Sequence, residues 1–192
     1  MKRDGQMKRN LYIIIGVLLL VGIAIWQAGG GRGLSQLQSV FQAEEPVPTE
    51  VGAKAGMLAP SFQLNGMEEG TYEVGGKRDK PVMLNFWASW CEPCKMEAPT
   101  LNHISETYKD QLDIYGVNVT KYDTEKDAAE FVDTFHVKFP ILMDSDGAIY
   151  DLYKGMAFPT NVLIDENGVI REVILGILSE EELENKIKDL LK

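Results

Sequence analysis

Seven consecutive positions, Pro81 to Trp87, carry one polar side chain between them, Asn85. A short run apolar on both alternations is the pattern of a strand buried on both faces. Leu112 to Val119 reads the same way, and Asn161 to Ile164 reads as a further strand. Phe62 to Leu64 and Thr71 to Val74 read as short outer strands. Phe139 to Met143 reads as a short strand, closed by the turn Asp144-Ser145-Asp146-Gly147 and followed by a short helix over Ala148 to Tyr153. Between these runs the period changes. Cys91 to Tyr108 is expected to be helical, bent by Pro99. Thr124 opens a second helix with Ala128, Phe131, Val132 and Phe135 on one face. Val169 to Leu175 follows Asp165-Glu166-Asn167-Gly168, and an Asn-Gly turn pairs its flanking strands antiparallel. Ser179 and Glu182 have capping-box spacing before a helix to Leu191, with Leu183, Ile187, Leu190 and Leu191 as its apolar face. Strand and helix alternate, then a hairpin and a helix close the chain. The expected class is α/β, a central mixed sheet flanked by helices on both faces.

The N-terminal part follows a different pattern. Leu11 to Trp26 is a run of 16 residues without a charge, roughly 24 Å long as a helix. Basic residues precede it, as expected when the N-terminus stays in the cytoplasm. It reads as an uncleaved single-pass anchor, with a cleaved signal peptide as the alternative. The expected organisation is a stub and anchor over 1–28, a flexible linker over 29–57 rich in Gly, Ser, Gln, Glu and Pro, and a folded domain over 58–192. The formal charge of -10 is split: residues 1–33 carry +4, and the rest -14. An acidic body without clustered Lys and Arg argues against nucleic-acid binding.

The chain has two cysteines, Cys91 and Cys94, separated by Glu92 and Pro93. The apolar run before them delivers this pair to the start of a helix. Unpaired N–H groups and the helix dipole favour a thiolate there. A thiolate beside a second thiol can attack a disulfide and then be released by its neighbour. A loop this small removes little unfolded-state entropy, so a structural staple is a weaker reading. Cys91, at the helix start and expected to be partly exposed, is the candidate attacking thiolate, and Cys94 the resolving thiol. Glu92 should oppose thiolate formation next to it, and could also select a partner. His103 and His136 lack ligand spacing to the pair, so no metal is expected.

The segment Asn85 to Cys94 resembles the active-site strand and turn of the thioredoxin superfamily, and Phe158-Pro159-Thr160 resembles its cis-proline loop. More closely, the chain is similar to membrane-anchored TlpA/ResA-like thiol-disulfide oxidoreductases. The N-terminal apolar segment, Ala59-Pro60-Ser61-Phe62, Glu-Pro between the cysteines, and Glu97 after them carry that likeness over about residues 58–192. It implies a thioredoxin-like fold with extra N-terminal strands and an insertion between Thr120 and Ala157. It also implies a cis Pro159, with Phe158 presenting backbone to a bound segment, and Pro93 tuning redox potential. Plain thioredoxins usually place a buried Asp where this chain has Asn85, which cannot exchange a proton. In the ResA-like branch a glutamate does so, and Glu97 matches it. Its position three residues after Cys94 is compatible with that role. Trp87 is expected in the core, and Trp90 exposed at the binding surface.

The resemblance implies an exported enzyme whose only redox group is the Cys91–Cys94 disulfide, with no other cofactor. Its implied direction is reduction of protein disulfides, with apocytochrome c before haem attachment as leading substrate and a membrane donor of the CcdA/DsbD type. The rivals are a thiol oxidant, a reductase for another envelope process such as sporulation, a peroxidase, and a non-catalytic binding module.

Overall fold

The computed structural model describes residues 15–20, 23 and 47–192; residues 15–20 and 23 are helical, and Val47–Lys192 forms one compact unit. The expected anchor at Leu11 to Trp26 thus lies mostly outside the described residues, as does much of the linker. Among the described residues no helix is long and apolar enough to cross a membrane.

In the folded unit, β1 (Phe62–Asn65) and β2 (Thr71–Val74) form an antiparallel hairpin. Then come β3 (Val82–Trp87), α1 (Glu92–Thr107), β4 (Asp113–Asn118), a 3₁₀ turn (Thr120–Tyr122), α2 (Glu125–Phe135), β5 (Ile141–Met143) and α3 (Ala148–Leu152). β6 (Thr160–Ile164), β7 (Ile170–Leu175) and α4 (Glu180–Leu190) complete it. Boundaries read from the sequence hold to within two residues. The five-stranded sheet has the order β5-β4-β3-β6-β7. β3, β4 and β5 run parallel, β6 pairs antiparallel with β3, and β7 antiparallel with β6. This is a thioredoxin-like α/β fold with a central mixed sheet. The stretch from Thr120 to Ala157 holds α2, β5 and α3.

The alternation of β3 decides what meets what. Val82, Leu84 and Phe86 face one side, packing with Phe62, Val74, Tyr150 and Tyr153. Met83 faces the other side, against Leu101 and Ile104 of α1 and Leu183 and Ile187 of α4. Trp87 lies on that same side, with Ala98 of α1 and Phe131 of α2. Asn85, between Met83 and Trp87, therefore points at the helices. Its register partner on β4 is Gly116, where a Cβ would sit 2.6 Å from the Ile141 side chain and 3.1 Å from the Trp87 indole nitrogen. Only glycine leaves room there for the Trp87 ring.

The folded unit begins earlier than the domain boundary read near Leu58. Gly52 N donates to Leu58 O at 2.9 Å, Gly56 N to Ile170 O at 2.8 Å, and Ile170 N to Met57 O at 2.9 Å. These contacts run through the backbone beside β7, so hydrophobic periodicity carries no trace of them.

Candidate active site

The chain leaves β3 at Trp87 and turns once before α1. Cys91 N donates to Ala88 O at 3.1 Å, closing the turn. Asp123 holds the turn from outside, accepting from Ser89 N and Ser89 Oγ at 2.6 Å each and from Asn118 Nδ2 at 2.8 Å. Burial alone would raise the Asp123 pKa, but these donors outweigh it and hold the carboxyl below its ordinary value. Trp90 is 58% exposed, and its ring nitrogen donates to Tyr122 O at 2.7 Å.

Cys91 is the N-cap of α1 and Cys94 lies in its first turn. They form a disulfide with Cα atoms 5.3 Å apart, and Cys91 Sγ also accepts from Cys94 N at 3.2 Å. Cys91 was expected to be partly exposed; instead both cysteines are 4% exposed. Both belong to one buried cluster with Trp87, Ala88, Ala98 and Phe131. The two sulfur-bearing residues differ in what they face. Cys91 lines an open groove, while Cys94 lines a separate, small and largely apolar cavity with Asn85, Trp87 and Phe131. Accessibility from the groove, rather than overall exposure, distinguishes them.

The groove gathers residues distant in sequence. Trp90, Glu92, Pro93 and Phe158 line it with Cys91, and so do Tyr122, Tyr150 and Met156. The Phe158–Pro159 peptide bond is cis. Pro159 O accepts from Gly176 N at 2.8 Å, and Thr160 Oγ donates to Ala157 O at 2.7 Å, fixing both sides of the loop. Phe158 stacks on Tyr150 with centroids 4.9 Å apart and meets the edge of Trp90 at 5.7 Å. Glu92 is exposed and bonds Lys95 Nζ at 3.1 Å. Tyr122, Tyr150 and Met156 escaped the sequence reading, because loop and turn residues of an insertion carry no periodicity. His103 faces Glu180 at 3.7 Å and His136 ends α2 in a left-handed conformation, neither lining the groove.

Glu97 is 3% exposed, on the face of α1 turned toward the sheet. Its Oε2 accepts from Asn85 Nδ2 at 2.9 Å and its Oε1 from Asn161 Nδ2 at 2.7 Å. Burial raises its pKa and the two amides lower it; burial wins, leaving it at about 7. A carboxyl with that pKa can take up and release a proton near neutrality, one helical turn from Cys94. Asn161 was read only as a strand residue. The available signal was a lone amide in an otherwise apolar strand, since a buried polar group needs a partner.

A family model described as the AhpC/TSA family matches residues 55–173. The thioredoxin-like protein YneN of Bacillus subtilis is 37% identical over 88% of this chain and 95% of its own. The thiol-disulfide oxidoreductase ResA of Bacillus cereus is 32% identical over 96% of this chain and 99% of its own. Among solved structures, the thiol:disulfide interchange protein DsbE from Chlorobium tepidum superposes with a TM-score of 0.65 at 31% identity, covering 72% of this chain and 98% of that one.

Proposed function

The chain belongs to the AhpC/TSA family and is a thiol-disulfide oxidoreductase with Cys91–Cys94 as its redox-active disulfide, and we propose that it works as a reductant of protein disulfides outside the cytoplasm. In this reading residues 11–26 tether it to the membrane as a single-pass anchor with the N-terminus in the cytoplasm. The residues that follow hold the catalytic unit away from the bilayer. Apocytochrome c, before haem attachment, is the substrate the resemblance favours.

In the reduced enzyme, the Cys91 thiolate attacks one sulfur of the substrate disulfide, and the other leaves as a thiolate. The Cys94 thiol gives its proton to Glu97, and its sulfur then attacks Cys91. This forms the Cys91–Cys94 bond and frees the second substrate sulfur. One departing thiolate takes the Cys94 proton from Glu97, and the other takes one from solvent, matching the proton lost when Cys91 ionised. Two electrons thus pass from the enzyme to the substrate, and the exchange balances. A membrane dithiol donor of the CcdA/DsbD type restores the pair. Phe158 and Pro159 offer backbone to the extended substrate segment, as one strand adds to another. Trp90, Tyr122 and Met156 receive its side chains.

The observation that carries this reading is the placement of Cys91 on the groove beside the cis Phe158–Pro159 loop, with Cys94 behind it. Exposed Glu92 supports the reducing direction, because a carboxylate next to Cys91 makes its thiolate less favourable and the dithiol a better electron donor. A Cys94→Ala variant of the full chain keeps the attacking thiol and loses the resolving one. It is expected to accumulate a mixed disulfide with an exported partner, released by a small-molecule thiol. Failure to trap any partner, together with no disulfide reductase activity in the unaltered protein, would sink the proposal.

A further inference from the structure

β3 and β6 place Asn85 and Asn161 directly opposite one another on the helix-facing side of the sheet. Asn85 Nδ2 donates to Glu97 Oε2 at 2.9 Å and also to Asn161 Oδ1 at 2.7 Å. Both of its hydrogens are then spent, and its donor side faces both neighbours. Asn161 can accept from Asn85 only through Oδ1, which turns its own Nδ2 to Glu97 Oε1 at 2.7 Å. Each amide orientation thus dictates the other. Both Glu97 oxygens receive an N–H, and a proton added to either on that side would set donor against donor.

We propose that Asn161, locked by its cross-strand partner Asn85, is a positioning residue that favours the ionised form of Glu97 against the burial opposing it and fixes its carboxylate against the sheet. This deepens the reading of Glu97 as proton carrier and rests on it for its functional meaning. Removing the Asn161 amide leaves burial less opposed, so neutral Glu97 becomes easier to reach. No charged neighbour contributes to this balance. On α1, Lys95 pairs with Glu92 at the surface, and Cys94 is in the disulfide. β3 and β6 bring the two amides, and the charged residues of α2 are exposed. The position of Asn161, two residues after Pro159, also connects the clamp to the cis-proline loop through continuous backbone.

The test is a titration of the Glu97 side-chain carbon by ¹³C NMR in the full-length oxidised protein, with exchange rate against pH recorded on the same samples in the reduced state. The unaltered protein is expected to titrate near 7. Asn161→Leu, similar in volume and without the amide, should move the midpoint upward by about one to two units, the effect of losing a hydrogen bond to a charged group. Asn161→Asp should also move it upward, through a second carboxylate, and serves if the leucine variant does not fold. An unmoved midpoint in either folded variant overturns the clamp. A midpoint that moves while the rate profile stays in place upholds the clamp and removes Glu97 from proton transfer.

Discussion

Replacing Cys91 by serine is expected to lower disulfide reductase activity by more than about a thousandfold, to the level of uncatalysed exchange. Serine keeps the N-cap, because its hydroxyl can accept from Cys94 N as the sulfur does at 3.2 Å. The fold should therefore survive with little loss of stability, and the defect be chemical. Cys94 is not placed to substitute for its neighbour, since it lines the small apolar cavity rather than the groove. Turnover of a model disulfide by purified variants, beside their thermal unfolding, checks this. Retained activity in Cys91→Ser would move the attack to Cys94 and reverse the assigned roles.

The second large effect concerns Glu97. Glu97→Gln is expected to slow the exchange step by about a hundredfold, near the lower end of what a positioned acid or base contributes. The dependence of rate on pH around 7 should vanish with it. Stability gives a second readout with a defined sign. The folded-state pKa is raised from 4.5 to about 7, so between those values the folded protein binds more protons than the unfolded chain. Stability from this group is full below about pH 4.5 and is lost as pH rises through about 7, a fall of roughly 3 kcal/mol. The glutamine variant should lack that fall, so urea unfolding of the two proteins at pH 5 and pH 8 isolates it. Equal pH dependence in both would show that Glu97 does not titrate there.

Much of this site is legible in the sequence because its parts are local. The Cys-x-x-Cys pair sits on contiguous residues, and the strand before it announces itself by seven nearly unbroken apolar positions. The Asn-Gly turn and the Ser179–Glu182 capping box are likewise short-range signals, and both appear where expected. What escaped depends on contacts across the sheet or through the backbone. Asn161 gains its meaning only when β6 is set antiparallel beside β3 in the register that pairs it with Asn85. Tyr122 and Tyr150 reach the groove through the insertion, whose path no period encodes. Cys91 was expected to be more open because a helix start is usually solvated; instead its sulfur is tied to Cys94 and the pair joins the buried cluster of Trp87, Ala88, Ala98 and Phe131.

In the proposed mechanism the active-site parts have separate jobs. The helix start and groove favour a reactive Cys91, exposed Glu92 restrains its thiolate, and Glu97 with its two amides takes the proton of Cys94. The same parts could run in either direction, and the direction is set by the potential of the pair. Equilibrating the full-length protein with glutathione or dithiothreitol buffers of known potential, and quantifying the Cys91–Cys94 disulfide by alkylation and mass spectrometry, decides it. The value expected is near the thioredoxin end of the family range, about -270 mV. A value near the strongly oxidising end, about -120 mV, would contradict a reductant and make the protein a donor of disulfides.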